Sequence, residues 1–249
     1  MADSQQQPRP TAPSAAASPA EPTLPPVEAY GRRMASTETV KRWRFEQRAL
    51  TVVKSLQKNG FEAMYLADAA QVREAILDRV AAEAVVGVGG SLTIRQTGVL
   101  DALRAGDHTV HDHWRAGLSE EEALDVRRAQ LTSDVFLTSV NAVTLEGQMI
   151  CTDGIGNRLA ALTFGPKKVI VVVGAQKIVN DVEAGRARVR DVCGPLALKE
   201  TGAKTPCARE GICGECGAQT RMCRATLILD CRPLCTETTV IIVGEELGF

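Results

Sequence analysis

The sequence predicts an α/β protein built on an open sheet with helices on both faces. Three observations predict it. "DVFLTSV" (134–140), "KVIVVVG" (168–174) and "TTVIIVG" (238–244) are continuous apolar runs, as expected for parallel strands covered on both faces. Segments of helical periodicity alternate with these runs. Glycines follow several of the strands, where α/β sheets turn into helices and hold ligands.

The elements follow in order. Residues 1–35 carry seven of the eleven prolines, with Ala, Ser and Gln between them, so 1–36 reads as a disordered tail. "TETVKRWRFEQRALTVVKSLQKNG" has helical spacing and stops at Asn59-Gly60. "FEAMYL" (61–66) reads as a strand, and Asp68 caps the helix "AAQVREAILDRVA". "EAVVGVGG" is a short buried strand, followed by one helix, "SLTIRQTGVLDALRAG". Ser119 and Glu122 form a capping box for "EEALDVRRAQLT". "IVNDVEAGRARVRDV" is a helix. The strand 238–243 returns to the main sheet. That makes 37–249 one domain and 203–236 a cysteine-rich flap within it.

Bulk properties exclude several function classes. A formal net charge of -1 gives no reason to expect nucleic acid or an anionic membrane surface as partner. No apolar run approaches the roughly 20 residues that span a bilayer. The N-terminus has neither a secretory h-region nor a transit-peptide pattern, so a cytoplasmic protein is expected. In a reducing compartment, clustered cysteines point to metal ligands or redox groups before disulfides.

Two stretches carry candidate ligand residues. In "VVGVGGSLTIRQTG", Gly87, Gly89 and Gly90 end a strand, and Ser91 and Thr93 open a helix. Backbone can approach an anion there, although the stretch matches neither a dinucleotide fingerprint nor a Walker loop. A plain strand–helix turn is the alternative. In residues 139–179, Asn141, Thr144, Glu146, Asp153, Asn157 and Arg158 crowd around Gly147, Gly154 and Gly156. Lys177 follows the next strand and can reach the same crevice as a cation for a carboxylate or phosphate. Glu146 and Asp153 are the acid–base candidates, since two carboxylates in one crevice can split the roles. The alternative places Glu146 in an exposed turn and makes Asp153 a helix cap. His108, His111 and His113 read as a solvated loop, and without a G-x-S-x-G elbow a Ser-His-Asp hydrolase is not expected.

"TPCAREGICGECGAQTRMC" (205–223) holds Cys207, Cys213, Cys216 and Cys223 in the spacing C-x5-C-x2-C-x6-C. Zinc sites favour two C-x2-C knuckles, and only one is present. Gly211, Gly214 and Gly217 let backbone amides approach cluster sulfurs, and Arg209, Arg221 and Arg224 offset thiolate charge. An iron–sulfur cluster is expected, 4Fe–4S ahead of 2Fe–2S. Zinc and free thiols are the alternatives. Cys231 and Cys235 leave the ligand set open, whereas Cys151 and Cys193 read as small buried residues.

"GVGGSLTIRQTGVL", "VTLEGQMICTDGIGNRLAALTFGPKKVIVVVGAQKIV" and "VIIVGEELGF" together resemble the lactate-utilisation (LUD) domain family over about residues 38–249. The resemblance implies a fold related to ribose phosphate isomerase and the CoA-transferases. It also implies a place in lactate oxidation beside iron–sulfur partner proteins. A subset of the family carries a C-terminal cysteine motif of this kind. Three readings follow. One is an oxidoreductase-type protein that binds a small organic acid or CoA-like anion, with a ferredoxin-like partner. Another is an isomerase-like domain stapled by zinc. The third is a non-catalytic subunit of a lactate-oxidising complex.

Overall fold

A computed structural model describes residues 36–214, 216–217 and 219–249. The tail expected over residues 1–36 lies, but for Ser36, outside the described residues. The core is a six-stranded parallel sheet. Its strands are β1 (Glu62–Leu66), β2 (Val86–Val88), β3 (Val110–Asp112), β4 (Val135–Thr138), β7 (Lys168–Gly174) and β10 (Glu237–Val243), in the order β1-β10-β7-β4-β2-β3. The last strand does return to the main sheet, between β1 and β7.

Alternation along these strands feeds two cores. Val169, Val171 and Val173 face α1 (Thr37–Lys58) through Ala49, Val52 and Leu56, and α6 (Asn157–Thr163) through Ala161 and Leu162. Ile170 and Val172 face α2 (Ala69–Leu77), α3 (Leu92–Gln96) and α4 (Val99–Ala105). A parallel sheet needs both faces covered, which is why "VIVVV" is apolar without alternation.

The expected helix "SLTIRQTGVLDALRAG" is two. Gly98 sits at φ 70°, left-handed backbone that breaks the helix between α3 and α4. The box at α5 (Glu120–Ala129) forms as expected: Ser119 Oγ accepts from Glu122 N, and the Glu122 carboxylate accepts from Ser119 N.

A second sheet grows from the carboxyl ends of β4 and β7. Its order is β8 (Ile178–Val179), β5 (Ala142–Thr144), β6 (Met149–Asp153), β9 (Ala225–Leu229). Strand β9 lies inside the segment read as a flap and pairs antiparallel with β6. Behind this sheet α7 (Val182–Arg188) runs through a π-helical segment, Val189–Cys193, into α8 (Gly194–Glu200). Short π segments widen a helix and frequently occur at functional sites. A last short helix, α9 (Pro206–Glu210), carries Cys207.

Candidate functional site

The carboxyl ends of the parallel strands open into a cleft of about 410 Å³, the position where α/β sheets bind ligands. β2 delivers Gly90 and Ser91, β3 delivers His113 and Trp114, and β4 delivers Ser139 and Asn141; Lys177 follows β7. From the second sheet and α6 come Asp153, Gly154, Asn157 and Arg158, and Thr93 of α3 also lines the wall.

Lys177 is the centre of this floor. The residue is 2% exposed, and its Nζ donates to Thr93 Oγ1 at 2.8 Å and Ser139 Oγ at 3.0 Å. Both partners are neutral hydroxyls. Burial, only partly offset by the Cys193 thiol and reinforced by Arg188 and Arg158, pushes its pKa down to about 7.

Asp153 and Arg158 neutralise each other. Asp153 Oδ1 accepts from Arg158 Nε at 2.9 Å and Nη2 at 2.6 Å, while Oδ2 accepts from the Arg158 backbone amide at 3.1 Å. Asp153 therefore both caps α6 and holds its arginine. The same guanidinium donates to Ser139 O and Thr152 O, tying β4 to β6. Arg158 is in this way a positioning residue, its charge already matched.

Glu146 is not brought together with Asp153. It stands in the exposed β5–β6 turn, where its carbonyl accepts from Asn59 Nδ2. Thr144 is part of the same hairpin, its Oγ1 accepting from Gln148 N. Gly89 lies beneath the cleft against Thr138 and Phe136. The pair of carboxylates expected from the sequence does not assemble, because a tight hairpin separates the two in space.

His113 corrects the reading of the histidines as a solvated loop. It follows a real edge strand, β3, and is 8% exposed. Asp112 anchors the turn. Burial alone would raise its pKa, but Arg95, the Trp114 amide and Arg104 outweigh that and hold it low. Trp114 in turn stacks against the Arg95 guanidinium, 4.8 Å from the ring centre. Gln130 Nε2 donates to Val88 O and His111 O and stands 2.9 Å from His113 Nδ1. An amide nitrogen cannot accept, so its two hydrogens are shared among the two carbonyls and an unprotonated Nδ1, which leaves the His113 proton on Nε2. That Nε2–H faces the cleft beside Gly90. Burial, then the nearby Arg127, pushes the His113 pKa down to about 4, so the ring is a neutral donor at pH 7.

Arg127 of α5 was not singled out by the sequence, yet it lines this cleft. Its Nε is buried with no hydrogen-bond partner among the described residues. Burial lowers its pKa. Cys193 is also new to the site. Its Sγ, at 3% residue exposure, accepts from Arg188 Nη1 at 2.6 Å. Cys151, beneath the cleft, is core, its thiol pushed up to about 12 mainly by burial.

The cysteine segment closes one side of the mouth. Gly154 is glycine because a Cβ there would lie 2.8 Å from Met222 O. Arg224 N donates to Asp153 O, so Cys223 is delivered to the cleft wall. Burial raises the Cys223 pKa, and Cys207, Cys213 and Cys216 add to it by repulsion. Cys207 is buried and Cys213 exposed. Among the described residues, no three His, Cys, Asp or Glu side chains stand together in a metal-holding arrangement. Four thiols suit a thiolate-bound centre in chemistry, but among the described residues their side chains do not converge on one.

No helix among the described residues is long and apolar enough to cross a membrane. No curated protein matches the sequence. A crystal structure of a DUF162 family protein from Deinococcus radiodurans is 21% identical, covering 84% of this chain and 99% of that one, with a TM-score of 0.43. The profile of the LUD domain matches residues 50–243, most of the chain and every strand of both sheets. The chain belongs to the LUD domain family.

Proposed function

We propose that this LUD-family protein binds a small organic acid in the cleft, as part of the oxidation of lactate or a related 2-hydroxy acid. One observation carries the reading: among the described residues, the cations Arg127 and Lys177 line the cleft without a carboxylate partner. Asp153 is occupied by Arg158, and Glu200, at the rim, is exposed. Lys177 is buried, and the partly buried Arg127 has a buried Nε without a hydrogen-bond partner among the described residues, so an anion in the cleft would match both. The neutral Nε2–H of His113 adds a donor for a carbonyl or hydroxyl oxygen beside that anion. Calorimetric titration with lactate, pyruvate and phosphate tests this. One-site binding of the organic acids is expected. Arg127→Gln should weaken it at least about tenfold, as for a charge-assisted hydrogen bond worth ~1.5–3 kcal/mol, with little change in thermal stability. An unchanged affinity would count against the assignment.

Cys207, Cys213, Cys216 and Cys223 are proposed to hold an iron–sulfur cluster at the mouth of the cleft, with a ferredoxin-like protein as electron partner. Support comes from the placing of four cysteines within one short segment, one of which, Cys223, lines the cleft. A bound cluster would supply one-electron transfer. Protein prepared without oxygen should contain iron and sulfide and give a paramagnetic signal on reduction. Cys213→Ser should lose that signal. Stoichiometric zinc without iron would rule the cluster out.

A further inference from the structure

Lys177 has the setting of a nucleophilic amine. Its Nζ is buried, faces the cleft and is held only by the hydroxyls of Thr93 and Ser139. A desolvated lysine beside other cations keeps a large neutral fraction near pH 7 and can attack a carbonyl. Arg188 and Arg158 are the neighbouring cations. Asp153 cannot serve as its counter-ion, being doubly bonded to Arg158.

Three groups around the cleft correspond to three parts of one ligand. Arg127, whose Nε has no partner among the described residues, suits a carboxylate. The His113 Nε2–H suits a carbonyl oxygen. The Lys177 amine suits the carbonyl carbon. A carboxylate next to a carbonyl is a 2-oxo acid. We propose that Lys177 forms an imine with the carbonyl carbon of a 2-oxo acid whose carboxylate is held by Arg127. The proposal rests on the organic-acid reading of the cleft and adds a covalent step to it.

The step balances without an oxidant or reductant. The amine lone pair forms a C–N bond to the carbonyl carbon, and the carbonyl π pair moves to oxygen. Two protons leave the former ammonium, one to free the lone pair and one after the attack, and both end on that oxygen; Ser139 Oγ, 3.0 Å from Nζ, is placed to relay them. Nitrogen then expels the oxygen as water. One ammonium side chain and one 2-oxo acid give one iminium and one water. The iminium restores a positive charge where the ammonium stood, so the carboxylate keeps its partner.

The full chain is incubated with pyruvate and sodium cyanoborohydride, and the adduct is mapped by peptide mass spectrometry. The expected gain equals the mass of pyruvic acid less one oxygen atom, on the peptide containing Lys177. Lactate, which has the carboxylate but no carbonyl, should compete and lower the yield. Binding of pyruvate is measured calorimetrically on the same preparation without reductant. Binding without an adduct at Lys177 overturns the imine and leaves the organic-acid reading standing. Adducts confined to other lysines and insensitive to lactate overturn it as well. Absence of binding by both acids overturns both readings.

Discussion

Lys177→Met should raise the stability of the protein and, in the same molecule, remove organic-acid binding. The side chain carries a buried cation without a carboxylate partner. Methionine keeps most of the volume and removes the desolvation. Thr93 and Ser139 lose an N–H neighbour, yet their hydroxyls already donate to Leu247 O and Val140 O, so no donor is stranded. A gain on the order of 1–4 kcal/mol at pH 7 is expected, the range seen when buried charges give way to apolar groups. The pH dependence has a definite sign. The folded pKa lies at about 7, below the ordinary lysine value of 10.5. Below pH 7 both folded and unfolded chains hold the proton, and the full burial cost is present. Between 7 and 10.5 only the unfolded chain holds it, so the stability of the natural protein rises with pH. The advantage of Lys177→Met should therefore be greatest at or below pH 7 and shrink toward pH 10. Thermal unfolding of both proteins across that range reads it. A variant that is less stable at every pH would mean the lysine is a structural anchor.

The second large effect is opposite in sign. Asp153→Ala leaves Arg158 buried with its charge unmatched, and removing one partner of a buried pair costs about 3–5 kcal/mol. Arg158 also links Ser139 and Thr152, so both β4 and β6 lose a tie at the cleft. Chemical denaturation measures the loss. Adding Arg158→Met should recover part of it, because the stranded cation goes too. If Asp153 were instead a free catalytic base, its alanine variant would keep its stability and lose only turnover.

The frame of the protein was legible because parallel strands write themselves plainly. "KVIVVVG" became β7 over the predicted residues, and "TTVIIV" returned to the sheet beside it. Lys177 was legible for the same reason: it follows a strand end, where ligands gather. What escaped depended on contacts between residues far apart in the chain. His113 looked like a loop residue, since β3 is three residues long. Its burial comes from Gln130, from Arg127 and from the Asp112 anchor, none of which periodicity reveals. Arg127 sits in a strongly charged helix with no buried residue, so nothing local separates it from Arg128. Glu146 misled because a polar, glycine-punctuated stretch looks alike whether it lines a cleft or turns a hairpin. Strand β9 was hidden among cysteines, and its partner is β6, more than 70 residues away. Of the candidate ligands, those at the strand ends and on α6 came together, and those in the hairpin did not.

The claim on which the rest depends is that Arg127 and Lys177 jointly hold the anionic end of a small organic acid. A crystal structure of the full chain with lactate tests it most directly. The carboxylate is predicted within hydrogen-bond distance of Arg127 and Lys177, with the hydroxyl toward His113 Nε2. A cleft still empty at saturating lactate, or a carboxylate bound elsewhere, would contradict it.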